Sequence, residues 1–283
     1  MFPEKRSAIA RIVRTFGCMA FLFFLSGLAS RATTWKMVWH DEFDKDGEPD
    51  PANWDYEHGF VRNDELQWYQ PENAVCKGGM LIVEARREKK TNPGCRPGGK
   101  GFQGRQWIEV TSSCLITKGK HEFTYGKFEM RARIDTRLGS WPAFWTLGTS
   151  IDRVGWPECG EIDIMEYYKG IVLANVCHGL NGRQKWLTTK KSLVELGGDA
   201  WAKQFHIWTM EWDEKRVDLL LDGRLSAHFD STGDDEAGKD NAFRKPVYIL
   251  LNQAIGGTSG GDPSKLEYPV RLEVDWVRVF QPL

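Results

Sequence analysis

The sequence predicts an all-β sandwich, and three observations carry that prediction. The segment YGKFEMRARI puts Phe128, Met130, Ala132 and Ile134 on one face and Lys127, Glu129, Arg131 and Arg133 on the other, the alternation of a strand with one buried side. In RVDLLLDGRLSAHF, Asp222-Gly223 separates two apolar runs, the strongest local signal for a hairpin. No sustained 3.6-residue period competes after residue 33, so one sheet face must be buried against another.

In chain order, the first segment lies outside that fold. Lys5, Arg6, Arg11 and Arg14 precede an uncharged stretch from Thr15 to Ser30 centred on FLFFLSGLA, the pattern of a secretory signal peptide. Ser30 and Ala32 are small residues at the positions read by signal peptidase, which places cleavage after Ala32, with Ala29 as the alternative. A single membrane anchor is the competing reading, but the apolar run falls short of about 18 residues. Cys18 comes before the apolar stretch that a lipidated cysteine should end, which argues against lipidation there. The expected organisation is therefore a signal peptide over 1–32 and one β domain over 33–283, secreted or periplasmic and without membrane contact once the signal is removed.

Composition narrows the partner. A chain with 41% hydrophobic and 27% charged residues is an ordinary globular protein, which excludes disorder and multi-pass membrane classes. Lys and Arg total 38 against 39 for Asp and Glu, with no basic block beyond the N-terminus, so no nucleic-acid footprint is present. Without residues 1–32 the formal charge is −5, and an uncharged or weakly charged partner is expected. Thirteen Trp against seven Tyr supply flat apolar faces with a donor at one edge, which suit the CH faces of sugar rings. Trp201, Trp208, Trp212 and Trp276 are assigned to the core, and His40, His178 and His206 to structural places. Five cysteines remain after the signal, so at least one thiol is free, one or two disulfides stay open, and Cys95 in TNPGCRPGG sits in a loop. None of these cysteines has zinc-ligand spacing.

The remaining elements are strands and two irregular regions, residues 91–105 and STGDDEAGKDN, with LEVDWVRVF closing the chain. The chemistry sits in GEIDIMEYY, where Glu161, Asp163 and Glu166 fall within six residues. Strict alternation would send Glu166 into the core, where an unpaired carboxylate costs several kcal/mol. A β-bulge near Met165 turns it back to the face of the other two and leaves Ile162 and Ile164 pointing inward. Paired carboxyls flanking a bond are what glycoside hydrolysis needs: one ionised to attack the anomeric carbon, one protonated to release the leaving oxygen. Like-charge crowding is expected to raise the Glu166 pKa, with Asp163 sharing a coupled titration. An acidic edge strand or a calcium cluster is the other reading of three such acids.

The stretch GEIDIMEYY, with GWPE before it, resembles the active-site strand of glycoside hydrolase family 16. VWHDEFD, NDELQWY, TKGKHEFTYGKFEMRARI, GSWPAFWTLG, YILLNQAIGG and VDWVRVF agree, so the resemblance covers residues 36 to 281. It implies a β-jelly-roll sandwich of two antiparallel sheets with a concave substrate cleft, and a retaining double displacement. By position, Glu161 matches the nucleophile, Glu166 the general acid/base, and Asp163 the assisting acid. Trp141 and Trp145 match cleft aromatics, while Asn63, Glu65, Glu129 and Arg131 match polar positions at donor-side subsites. Glu42 and Asp275 match positions near which many members hold calcium, so the resemblance allows a structural calcium and requires no cofactor.

Two departures bear on the substrate. Cys114 stands where laminarinase-like members commonly have Arg, and Cys177 where they commonly carry His. Numbering across the hairpin puts Cys177 opposite Glu161, in the wall of the subsite that holds the reacting sugar. The resemblance thus implies a secreted endo-β-glycosidase acting on β-1,3 or mixed β-1,3/1,4-glucan as a monomer. An endo-β-galactosidase of galactan or mucin-type N-acetyllactosamine glycans is the alternative. A lectin on the same scaffold would need the aromatics but not the carboxyl pair.

Overall fold

The computed structural model describes residues 33–180, 183–232 and 241–283. The expected signal peptide, its cleavage site and Cys18 lie outside the described residues. In chain order the strands are β1 (Trp35–Asp41), β2 (Asp55–Tyr56), β3 (Gln67–Tyr69), β4 (Ala74–Cys76), β5 (Leu81–Thr91), β6 (Trp107–Ser112), β7 (Cys114–Ile116), β8 (Gly126–Ile134), β9 (Ser140–Gly148), β10 (Glu161–Tyr168), β11 (Ile171–Leu180) and β12 (Arg183–Ser192). They continue with β13 (His206–Trp212), β14 (Arg216–Leu221), β15 (Arg224–Asp230), β16 (Val247–Ile255) and β17 (Val270–Pro282).

These form two sheets. One runs β15-β14-β13-β8-β17-β5-β6-β3, with β1 added on β17 and β4 on β5; the other runs β12-β11-β10-β9-β16-β7-β2. Pairing is antiparallel except between β3 and β6, which run parallel. In β8 the four expected core residues are buried and the four charged ones are not, as alternation requires. At the β14–β15 turn, Asp222 and Gly223 both take positive φ, the geometry that lets a two-residue turn follow the strand twist.

The main core fills the space between the sheets, with Phe128, Met130, Trp208 and Trp212 from one and Phe144, Ile162, Ile164, Met165 and Ile249 from the other. Trp201, Trp208, Trp212 and Trp276 are buried as expected, Trp276 beneath the Arg278 guanidinium at 4.1 Å. A second cluster, including Tyr69, Cys114, Trp145, Cys159 and Tyr248, backs the outer side of the seven-stranded sheet. Cys76, Cys95, Cys114, Cys159 and Cys177 are all free thiols, so neither of the disulfides left open by the sequence forms.

Short helices appear that the sequence pattern did not reveal: α1 (Ile151–Val154), α2 (Leu193–Leu196), α3 (Gly198–Ala202) and α4 (Gly257–Gly260). Each is about one turn long, too short to display a helical period. The one legible signal was the box Ser192-x-x-Glu195, in which the Ser192 hydroxyl accepts from Val194 N and Glu195 accepts from Ser192 N. Among the described residues no helix is long and apolar enough to cross a membrane.

Candidate active site

The outer face of the seven-stranded sheet carries a cleft of about 650 Å³, within the usual range for a ligand site. Its floor follows from strand register. Glu161 pairs with Leu147 on β9 and Cys177 on β11; Asp163 pairs with Trp145 and Asn175; Glu166 pairs with Ala143 and Leu173. Between Asp163 and Glu166 the register slips on both sides, so the expected bulge is present at Ile164 and Met165. Both of those side chains enter the main core, and all three acids line the cleft. The start of this strand is fixed by a close approach: a side chain at Gly148 would place its Cβ 1.9 Å from the Cys159 carbonyl oxygen.

Each acid has its own donors. Trp156 Nε1 donates to Glu161 Oε2 at 2.9 Å, and Trp141 Nε1 to Glu166 Oε1 at 2.7 Å. Asn175 Nδ2 donates to Asp163 Oδ2 at 3.0 Å and to Glu166 Oε2 at 2.8 Å. Burial, then the neighbouring Glu166 charge, pushes the Glu161 carboxyl up to about 7. Asp163 is driven well above the usual range by burial and by Glu161 and Glu166, which outweigh the Asn175 bond. Glu166 is also raised, chiefly by burial, against the opposing bonds from Trp141 and Asn175. Crowding on the strand therefore raises Glu161 and Asp163 rather than Glu166 as expected: the Glu166 carboxyl is raised by burial and then by Glu65, and Asp163, the most deeply buried of the three, feels both neighbours.

Asn63 and Glu65 reach the cleft from the loop before β3. Asn63 and Asp64 both take positive φ, and the turn packs so closely on α4 that a Cβ at Gly257 would sit 2.7 Å from the Asn63 carbonyl oxygen. Glu65 is buried, accepting from Gln67 Nε2 at 2.6 Å and Tyr69 OH at 3.2 Å, and burial raises its pKa. Trp145 donates to Asn252 Oδ1 at 2.8 Å and lies 5.0 Å from the Arg62 guanidinium, which is ion-paired with Glu57. Cys177 is fully buried opposite Glu161 rather than on the cleft surface, its thiol pushed up to about 12 by burial and by Glu161 and Asp163.

Two expected subsite residues lie elsewhere. Glu129 and Arg131 sit on β8 in the ten-stranded sheet; since Phe128, Met130 and Ala132 fill the core, their own side chains point away from the cleft. There Glu129 pairs with Lys127, and Arg131 with Asp275. Asp275 is thereby occupied, and Glu42 receives both Nε and Nη2 of Arg278, at 2.9 and 2.7 Å. No group of three or more His, Cys, Asp or Glu suited to a metal occurs among the described residues, and this arginine-bound pair does not fit the expected calcium. His40 bonds Glu42, His206 bridges Asp222 and the Trp201 carbonyl, and His178 packs on Phe243, all in structural places.

Sequence reasoning missed Arg62, Trp156, Asn175, Asn252 and the cleft edge formed by Trp186, Thr188 and Lys190. The signal for Asn175 was its position two residues before Cys177, which puts it across from Asp163.

The family model described as glycosyl hydrolases family 16 matches residues 68–278. The chain is 35% identical over 278 residues to a beta-glucanase of Rhodothermus marinus, covering 90% of this chain and 88% of that protein. It spans 35% and 38% of the length of the next two curated relatives it matches. Its structure is similar to the laminarinase catalytic domain from Thermotoga maritima, with TM-score 0.76 and 33% identity over 88% of this chain and 99% of that one. It is also similar, with TM-score 0.79 and 30% identity over 88% of this chain and 91% of the other, to a structure described with endo-acting O-glycanases of the human gut microbiota that initiate mucin breakdown.

Proposed function

Because the chain belongs to glycosyl hydrolases family 16 and is a retaining glycoside hydrolase, we propose that Glu161 is the nucleophile and Glu166 the general acid/base of an endo-β-glucanase. The observation that carries this reading is the bulged strand that brings three carboxyls to one face of a glycan-sized cleft. Glu161 Oε2 is held by Trp156, so Oε1, which has no donor among the described residues, is the attacking atom. It forms an ester to the anomeric carbon as Glu166 delivers its proton to the departing oxygen. Water then enters, Glu166 takes a proton from it, and the Glu161 ester breaks. Burial and the two flanking glutamates raise the Asp163 pKa, which favours its protonated form beside the nucleophile.

The substrate is a β-1,3 or mixed β-1,3/1,4-glucan, in line with the beta-glucanase relative and the laminarinase neighbour. A galactan or mucin-type glycan is the second reading. It is favoured by the O-glycanase neighbour. Residues 33–283 act as one secreted catalytic domain, monomeric, after removal of residues 1–32. The deciding experiment is a screen of purified protein on laminarin, lichenan, agarose, porphyran and mucin O-glycans with product-size analysis. Laminarin or lichenan cleaved to oligosaccharides supports the first reading, and cleavage confined to the galactose-containing glycans supports the second.

A further inference from the structure

Asp163 and Glu166 are joined through the neighbouring strand. Opposite the bulge, Ile164 and Met165 face Ala174 alone, and the pairing of β10 with β11 resumes only at Glu166 and Leu173. Backbone pairing is thus interrupted between the two acids. Asn175 stands across from Asp163 and is 3% exposed. Its two amide hydrogens are divided between the pair, to Asp163 Oδ2 at 3.0 Å and to Glu166 Oε2 at 2.8 Å. The Asn175 Oδ1 atom is buried and has no hydrogen-bond partner among the described residues, so the amide is held here through its donors.

With Trp141 Nε1 on Oε1, both oxygens of Glu166 accept from groups that can only donate. The other titratable groups around Glu166 do not serve it this way. Glu161 and Asp163 share its strand, Glu65 faces it from the loop before β3, Tyr168 and Lys190 line the same cleft, and Arg62 is committed to Glu57. None of these six donates to Glu166 among the described residues.

We propose that Asn175 is a positioning residue that ties Glu166 to Asp163 across the bulge and stabilises the ionised form of Glu166. That form is the one required to take a proton from water in the second half of the reaction. The assignment of this benefit to catalysis rests on the reading of Glu166 as the acid/base, whereas the tie itself is testable without substrate.

The test is a carboxyl-carbon NMR titration of glutamate-labelled protein, with the Glu166 resonance identified by its loss in Glu166→Gln. Asn175→Ala removes both donors and should raise the Glu166 midpoint by about one pH unit. Asn175→Asp keeps the shape but places a like charge there, and should raise it further. Asn175→Ser, whose hydroxyl can serve one acid at a time, should fall between wild type and Ala and guards against a failure of the Ala variant to fold. A Glu166 midpoint within about 0.3 unit of wild type in the folded variants overturns the proposal. If the midpoint moves but azide fails to rescue Glu166→Ala, the tie stands and the acid/base reading is what fails.

Discussion

Trp156 and Glu161 are joined by a hydrogen bond from indole Nε1 to Oε2 at 2.9 Å, made by a tryptophan that is itself 42% exposed. The bond opposes the upward push of burial on the Glu161 carboxyl. Trp156→Phe keeps a flat ring and removes the donor, so the ionised form of Glu161 loses support and its pKa rises. The acid limb of kcat/KM should move up by about half a unit or more. A pH–rate profile with the acid limb unmoved would show that the indole serves packing alone.

Glu161→Gln should lower turnover to below about 1% of wild type, because the amide keeps the shape but cannot attack. The same variant carries a stability signature with a definite sign. The folded carboxyl lies at about 7 against an ordinary 4.5, so its stabilising effect is complete below the ordinary value and is lost as pH rises through about 7. Glu161→Gln should therefore melt above wild type at about pH 8, by on the order of 1–3 kcal/mol, with the gain vanishing towards about pH 4.5. Calorimetry at the two pH values checks it; a gain that is independent of pH would have another origin.

Glu166→Ala should lose activity on polymer, while azide restores cleavage of an activated aryl glycoside and yields a β-azide. A good leaving group needs no acid, and azide replaces the activated water in the second step. An α-azide would exchange the roles of Glu161 and Glu166. Proton NMR of the first products from wild type should show the β-anomer, as retention requires.

Counting three charges on one strand predicts that Asp163→Asn draws the alkaline limb of kcat/KM to lower pH. The structure buries Asp163, and burial together with Glu161 and Glu166 raises its pKa, so the substitution removes less charge than that count supposes. The alkaline limb should stay within about 0.3 unit of wild type while kcat falls. A large downward movement would mean that Asp163 is ionised in the resting enzyme.

Glu42 is bound by Arg278 through two nitrogens, and Asp275 by Arg131. Chelation with EDTA should accordingly leave the melting temperature unchanged to within about 1 °C, far less than the several degrees expected from losing a stabilising ion. A larger drop, reversed by added calcium, would show that a cation displaces these arginines.

The sequence by itself determined the strands and the chemistry, because both are local. Alternation in YGKFEMRARI depends only on the two-residue period of a strand, and Asp222-Gly223 only on the backbone freedom of a turn. Even the bulge was legible, since burying Glu166 among Ile162, Ile164 and Met165 would be too unfavourable for any other arrangement. What the tertiary structure decided was which face each strand shows to which neighbour. Glu129 and Arg131 occupy a polar strand face that looks suitable for sugar, but β8 packs in the other sheet and turns them away. Trp156 and Arg62 reach the acids or the cleft wall only through loop packing, which no strand pattern encodes, whereas the hairpin register that sets Cys177 across from Glu161 also sets Asn175 across from Asp163. The proton distribution was likewise beyond the sequence: spacing makes the three carboxyls equivalent neighbours, and only the depth of Asp163 and the placement of three side-chain donors separate them.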